Sequence, residues 1–207
     1  MNRVTQKSTS LFNGVKLMIF DFDCTITNFH LSSSVTLEEI SSRPLSEFIE
    51  APLFKAFVEY LLRRGIQVAI ASYGKKDIIL GLMNRVFSNS IFDEDNVVTP
   101  RDISMEKNVK WSEGFNPSKR LLLNKNDMIQ LLAHRLGLDL KEICLLDDTE
   151  EHIINARKLG CRAILVPKCE KFRQTLKTVL KHFLIPSEVE LFMQDLDRPS
   201  SDHEESD

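Results

Sequence analysis

Four short apolar runs, each closed by a polar residue or a turn signal and set apart by amphipathic stretches, leave this chain few folds to adopt. The runs are 15–20, 66–71, 142–146 and 162–166. Each has the length and character of a buried strand. Between the first two, Pro52 opens a helix to Arg64, with Leu53, Phe54, Phe57, Val58, Leu61 and Leu62 at helical spacing and Gly65 as its stop. Further helices are expected over about 75–87, from an Asn126 or Asn124 cap to Leu136 before Gly137, and from Glu150 to Leu159 before Gly160. Strand alternating with helix in this way predicts parallel βαβ units and an α/β class, a Rossmann-like three-layer sandwich around a central parallel sheet. A short helix near 36–40, a short strand at 97–99 and amphipathic stretches over 170–184 and 187–194 complete the pattern, without an internal repeat.

The length suits a single domain over 15–194, with a loop insertion at about 99–120. Residues 1–14 read as a flexible leader and 195–207 as an acidic disordered tail. Net charge is −3, and the tail holds six acidic residues against one arginine, which leaves the body slightly basic. Such a balance argues against bulk nucleic-acid binding, though a phosphorylated nucleic-acid end stays open as a substrate. No run approaches a membrane span and residues 1–13 lack an apolar signal core, so a cytoplasmic location without a membrane partner is expected. Cys24, Cys144, Cys161 and Cys169 form no Cys-x-x-Cys pair, which indicates neither a zinc site nor a disulfide framework. Cys24 reads as a small filler in a tight turn, with a redox-sensitive thiol as the other reading.

The polar residues at the strand exits carry the chemistry. The first run ends in Asp21-Phe22-Asp23, the second in Ser72, the third in Asp147-Asp148, and Lys125 precedes the helix that leads into the third. Any one of these fits a cap or a solvated loop. In a parallel sheet, however, all the strand exits lie on one edge, where ligands bind. Converging carboxylates repel and call for a cation; Mg2+ suits hard oxygen ligands and would orient a phosphate. A Ser hydroxyl and a Lys ammonium would meet phosphoryl oxygens, and an Asp can accept a phosphoryl group as a nucleophile.

Asp21-Phe22-Asp23-Cys24-Thr25, Ser72 after an apolar strand, Lys125, and Leu145-Leu146-Asp147-Asp148 resemble the four motifs of the haloacid dehalogenase superfamily, in its phosphatase branch. The resemblance covers roughly 15–167 and implies a single HAD-like phosphatase domain. It implies Asp21 as nucleophile and metal ligand, and Asp23 as general acid and base with its carbonyl on Mg2+. Thr25 would hold the turn and stand with Ser72 and Lys125 on the phosphate side. Asp148 would complete the metal shell, with Asp147 as a supporting or alternative ligand. Lys119 is a second candidate for the lysine. Carboxylates at both 21 and 23 favour a phosphatase over a dehalogenase. Asp147-Asp148, with Glu150 and Glu151 after it, resembles the capless, magnesium-dependent phosphatases, and the interval between Asp23 and Ser72 is too short for a full helical cap, so a capless or minimally capped, open site is expected. Its partner would be a phosphorylated small molecule or phosphoprotein.

Other features have plainer readings. Arg101, Lys107, Lys110, Lys119, Arg120 and Lys125 make 99–125 basic, as a solvated loop or a recognition loop for an acidic ligand. Trp111 reads as a packing anchor. His30, His134, His152 and His182 share no metal-site spacing and read as surface or satisfied histidines. A catalytically silent binding protein on the same fold, or a receiver-like phospho-acceptor, are the alternatives. A receiver places its phospho-accepting Asp on a later strand, against the order seen here.

Overall fold

The computed structural model describes residues 12, 14–31, 34–87, 91–105, 124–184 and 186–197. The strand β1 (Leu17–Phe20) is buried along its whole length and pairs on both edges, with β2 (Gln67–Ala71) and with β4 (Ile143–Asp147). β3 (Val97–Val98) adds to the outside of β2 and β5 (Arg162–Leu165) to the outside of β4. The five strands are parallel in the order β3-β2-β1-β4-β5. The chain therefore winds outward from β1 in one direction and returns to wind outward in the other. That reversal opens a crevice at the carboxyl ends of the central strands. Phe20 pairs with Ile70 and with Leu146, so Asp21 comes level with Ala71 and Asp147. A receiver's order, 2-1-3-4-5, is not this one.

Side chains alternate across the strands and define the two outer layers. Met18 and Phe20 pack with α1 (Leu37–Ser42), α2 (Ala51–Arg63), α3 (Lys76–Val86), α7 (Phe172–Lys181) and α8 (Pro186–Asp197). Leu17 and Ile19 pack with α4 (Pro100–Met105), α5 (Lys125–Leu136) and α6 (Glu150–Leu159). The sandwich has three layers, as expected from the sequence. Its first face is aromatic: Phe20 meets Phe54 edge to face at 5.5 Å, and Phe54 meets Phe172 at 5.0 Å. Contacts of this kind add about 0.5–1.5 kcal/mol each beyond the area they bury.

Helix ends follow the local chemistry. Asn124, not Asn126, caps α5: its side chain accepts from the N–H groups of Asn126 and Asp127, and Asp127 answers to the Asn124 N–H. Gly137 and Gly160 close α5 and α6 with φ of 63° and 104°, conformations that side chains disfavour. Two boundaries differ from expectation. α4 lies in the stretch read as lacking periodicity; it is six residues long, with Asp102 accepting from both the N–H and the hydroxyl of Thr99 at 2.8 Å. α8 runs through Asp197, so 195–197 are helical rather than part of a tail. Trp111, Lys107, Lys110, Lys119 and Arg120 lie outside the described residues, as do 1–11 of the leader and 198–207 of the tail. Among the described residues no helix is long and apolar enough to cross a membrane.

Candidate active site

The strand exits meet around one lysine. Lys125 opens α5, and its ammonium lies buried 2.5 Å from Asp21 Oδ1, 3.2 Å from Asp147 Oδ2 and 2.7 Å from the Ala71 carbonyl. It thereby ties the ends of β1, β2 and β4 together. Burial alone would lower the ionisation of Lys125, but the two carboxylates outweigh it and hold it above its ordinary value. Asp21 shows the converse. Burial, with Asp147 beside it, pushes its carboxyl up to about 6 in spite of Lys125. Burial also opposes ionisation of Asp147, yet the His152 ring and Lys125 outweigh it and hold that carboxyl below the usual range.

Asp21, Asp147 and Asp148 each offer a carboxylate oxygen, and these atoms lie within 4.8 Å of one another. Asp147 is already engaged by Lys125 and by His152 Nδ1, which lies 2.9 and 3.0 Å from its two oxygens. Among the described residues, Asp148 is paired with the exposed ammonium of Lys168, at 3.8 Å. Three hard carboxylate oxygens this close together are a donor set that fits a small divalent cation. The carboxylate of Asp23 stands outside this group. Its Oδ1 accepts from the Leu31 N–H at 2.9 Å and its Oδ2 lies 3.3 Å from His30 Nδ1. Burial raises the ionisation of Asp23 above the ordinary carboxylate value, against Leu31 and His30.

Ser72 is buried just past β2, with its Oγ accepting from the Gly74 N–H at 3.0 Å. A side chain at Gly74 would place its Cβ 3.3 Å from Ser72 Oγ and 3.8 Å from Asp23 Oδ2. Glycine thus keeps open the space between the hydroxyl and the second carboxylate. From Asp23 a cavity of about 250 Å³ opens between Phe22, His30, Leu31, Tyr73, Ile78 and Ile79.

The structure thus brings Asp21, Asp23, Ser72, Lys125, Asp147 and Asp148 to one sheet edge. Thr25 is placed differently from expectation. It is fully buried and its hydroxyl has no hydrogen-bond partner among the described residues. The turn is held instead by Thr27, whose hydroxyl accepts from the Cys24 N–H at 3.1 Å and contacts the carbonyls of Phe29 and Phe22 at 2.7 and 3.2 Å. Both threonines follow the carboxylates closely, and spacing alone does not distinguish them. His152, expected to be a surface or satisfied histidine, is satisfied by Asp147. The signal was available: a residue in the first turn of a helix that starts at a strand exit folds back over that exit.

The cysteines correct a further expectation. Cys24 and Cys169 form a disulfide across 145 residues of sequence, with Cα atoms 4.0 Å apart, while Cys144 and Cys161 are free and buried. Cys24 is therefore neither a filler nor a free thiol here. Both bonded residues have positive φ, 61° and 51°, a conformation uncommon for residues other than glycine.

No family model matches the chain. No curated protein matches it. Solved structures similar to it include DsGPDH of Dunaliella salina, at 14% identity and TM-score 0.45 over 78% of this chain; the chain spans 25% of that protein. A hypothetical protein from Xanthomonas campestris is similar at 14% identity and TM-score 0.47, over 94% of this chain and 97% of its own. A conserved haloacid dehalogenase-like protein of Agrobacterium tumefaciens is similar at 13% identity and TM-score 0.45, over 89% of this chain and 100% of its own. At such identities and TM-scores these likenesses add nothing to the chemistry of the site.

Proposed function

We propose that this chain is a Mg2+-dependent phosphohydrolase that removes phosphate from a phosphomonoester through a covalent phosphate on Asp21. The observation that carries the reading is the cluster of one carboxylate oxygen each from Asp21, Asp147 and Asp148 within 4.8 Å of one another, with the Lys125 ammonium 2.5 Å from Asp21. Asp21, Asp147 and Asp148, with the Asp23 carbonyl, would hold the cation. When bound, Mg2+ offsets the carboxylate and phosphate charges and orients the phosphoryl group.

The side chains divide the remaining work. Lys125 occupies Asp21 Oδ1, which leaves Oδ2 to attack phosphorus. As that bond forms, the bond from phosphorus to the leaving oxygen breaks, and Asp23 gives that oxygen its proton. A raised ionisation, as burial gives Asp23, suits a carboxyl that must hold a proton until then. Asp23 next takes a proton from water, the water oxygen attacks phosphorus, and inorganic phosphate leaves Asp21. Ser72 would supply a donor to the phosphoryl oxygens, where charge gathers, and Lys125, its three N–H groups taken by Asp21, Asp147 and the Ala71 carbonyl, would supply its charge there. The cavity beside Asp23 lies where a leaving group would sit, and its mostly apolar walls suit an aryl or other weakly polar alcohol.

The test is phosphate release from p-nitrophenyl phosphate with Mg2+. The wild-type protein should turn over and Asp21→Asn should fall to background with its circular dichroism unchanged. Turnover by a folded Asp21→Asn protein would remove Asp21 as nucleophile, and a wild-type protein inert toward aryl and alkyl phosphates alike would mark a silent fold.

A further inference from the structure

The Cys24–Cys169 bond joins two loops that differ in how firmly they are otherwise held. The loop that follows Asp23 is fixed without it: Ile26 and Thr27 donate their N–H groups to the Phe22 carbonyl at 3.0 and 3.1 Å, and Thr27 Oγ1 accepts from Cys24. The turn over 167–170 has few ties of its own. Its described anchors are the disulfide, a hydrogen bond from the Cys169 N–H to the Cys24 carbonyl at 3.2 Å, and the Lys168–Asp148 pair. The helix beyond it is held independently, by the Arg173 N–H on Glu50 at 2.8 Å and by the packing of Phe172. Breaking the bond would therefore leave the carboxylate loop in place and free the short turn that carries Lys168.

Access to the bond is one-sided. Cys24 is buried at 2% exposure, whereas Cys169 is on the surface. The side of the bond open to an external thiolate is therefore that of Cys169, and exchange needs such access.

We propose that Cys24–Cys169 is a reversible thiol-exchange site that sets how closely Lys168 approaches Asp148, and hence how tightly the carboxylate cluster holds a divalent cation. The inference rests on the metal reading of Asp21, Asp147 and Asp148. In the forward step a dithiol reductant attacks Cys169 Sγ, the Sγ–Sγ bond breaks, and Cys24 leaves as a thiolate that takes a proton. The second thiol of the reductant displaces Cys169, so two electrons enter the protein and the reductant becomes a disulfide. A small-molecule disulfide reverses the exchange. In the closed state the Lys168 ammonium lies beside a carboxylate the cation needs and competes with it; in the open state it moves into solvent. Lys168 is largely exposed, so the effect is that of a surface ion pair, about twofold to fivefold in affinity.

The test uses the full chain, oxidised with glutathione disulfide or reduced with dithiothreitol and then freed of reagent. Mass spectrometry of unreduced proteolytic fragments reads the bond, and paramagnetic resonance of free Mn2+ reads the affinity, so no step depends on phosphate hydrolysis. The oxidised protein should yield a linked fragment holding Cys24 and Cys169. The reduced protein should bind Mn2+ about twofold to fivefold more tightly. Lys168→Gln, a surface change, should bind at the tighter level in both states, and Cys169→Ser should ignore the redox treatment. Absence of the linked fragment, equal affinities in the two states of the wild-type protein, or a redox difference that survives in Lys168→Gln would each overturn the proposal. Equal affinities with firm Mn2+ binding would leave the phosphohydrolase reading standing, whereas no binding in either state would bring down both.

Discussion

Above pH 6 the ionised Asp21 carboxylate weakens the fold that holds it. Burial, with Asp147 next to it, moves its ionisation from 3.8 to about 6 although Lys125 opposes the change. A group that holds its proton more tightly folded than unfolded adds stability below its unfolded value. That stability is lost as pH rises through its folded value. For Asp21 the window runs from 3.8 to about 6, and at 1.36 kcal/mol per pH unit the loss is about 3 kcal/mol. Asp21→Asn keeps the shape and takes on no charge. Urea unfolding of the oxidised protein in chelator, at steps across this window, should show wild-type stability falling as pH rises. Asp21→Asn should lack about 3 kcal/mol of that fall. Asp147 does not confuse the result: its ionisation is lowered, so its contribution is lost as pH falls below 3.8. Asp127, raised by its own burial, acts alike in the two proteins, and Asp23, raised but also sensitive to Lys125, is taken out of the comparison by measuring both on an Asp23→Asn background. Equal slopes for the two proteins between pH 4 and 6 would refute the assignment of a buried, strained carboxylate to Asp21.

Two further outcomes follow from the same geometry. Lys125→Met leaves Asp21 and Asp147 buried without their shared cation, and should cost about 3–5 kcal/mol in urea unfolding, with p-nitrophenyl phosphate turnover lost as well. Thr27→Val removes the hydroxyl that holds the turn and should cost about 1–3 kcal/mol with a fall in turnover that Thr27→Ser restores, while Thr25→Val, which removes a hydroxyl without a partner among the described residues, should be neutral or stabilising in urea unfolding.

The sheet was legible in the sequence because its strands are buried on both faces and so read as unbroken apolar runs. The meeting of Asp21, Ser72, Lys125 and Asp147 was legible for a related reason: in a parallel sheet every strand exit faces the same edge, so order along the chain becomes proximity in space. α4 was not, because six residues are too few to display a helical period. Nor was the division of labour between Thr25 and Thr27, which turns on which hydroxyl points into the loop. The Cys24–Cys169 bond was out of reach because its partners are brought together only by the completed fold, and spacing does not encode such a pairing. The same holds for Lys168 beside Asp148.

The central place of β1 also decides which parts of the site survive partial opening. Strands open from the outside, and amide exchange reports the order in which they do so. β5 can fray without touching the pairing of β1, so Asp21 stays anchored by its N–H on the Leu146 carbonyl. β3 is two residues long, and the N–H of Ser72 rests on its Val98 carbonyl. The residue that would grip phosphate is therefore moored to the weakest edge of the sheet, and the residue that would attack phosphorus to its most protected strand.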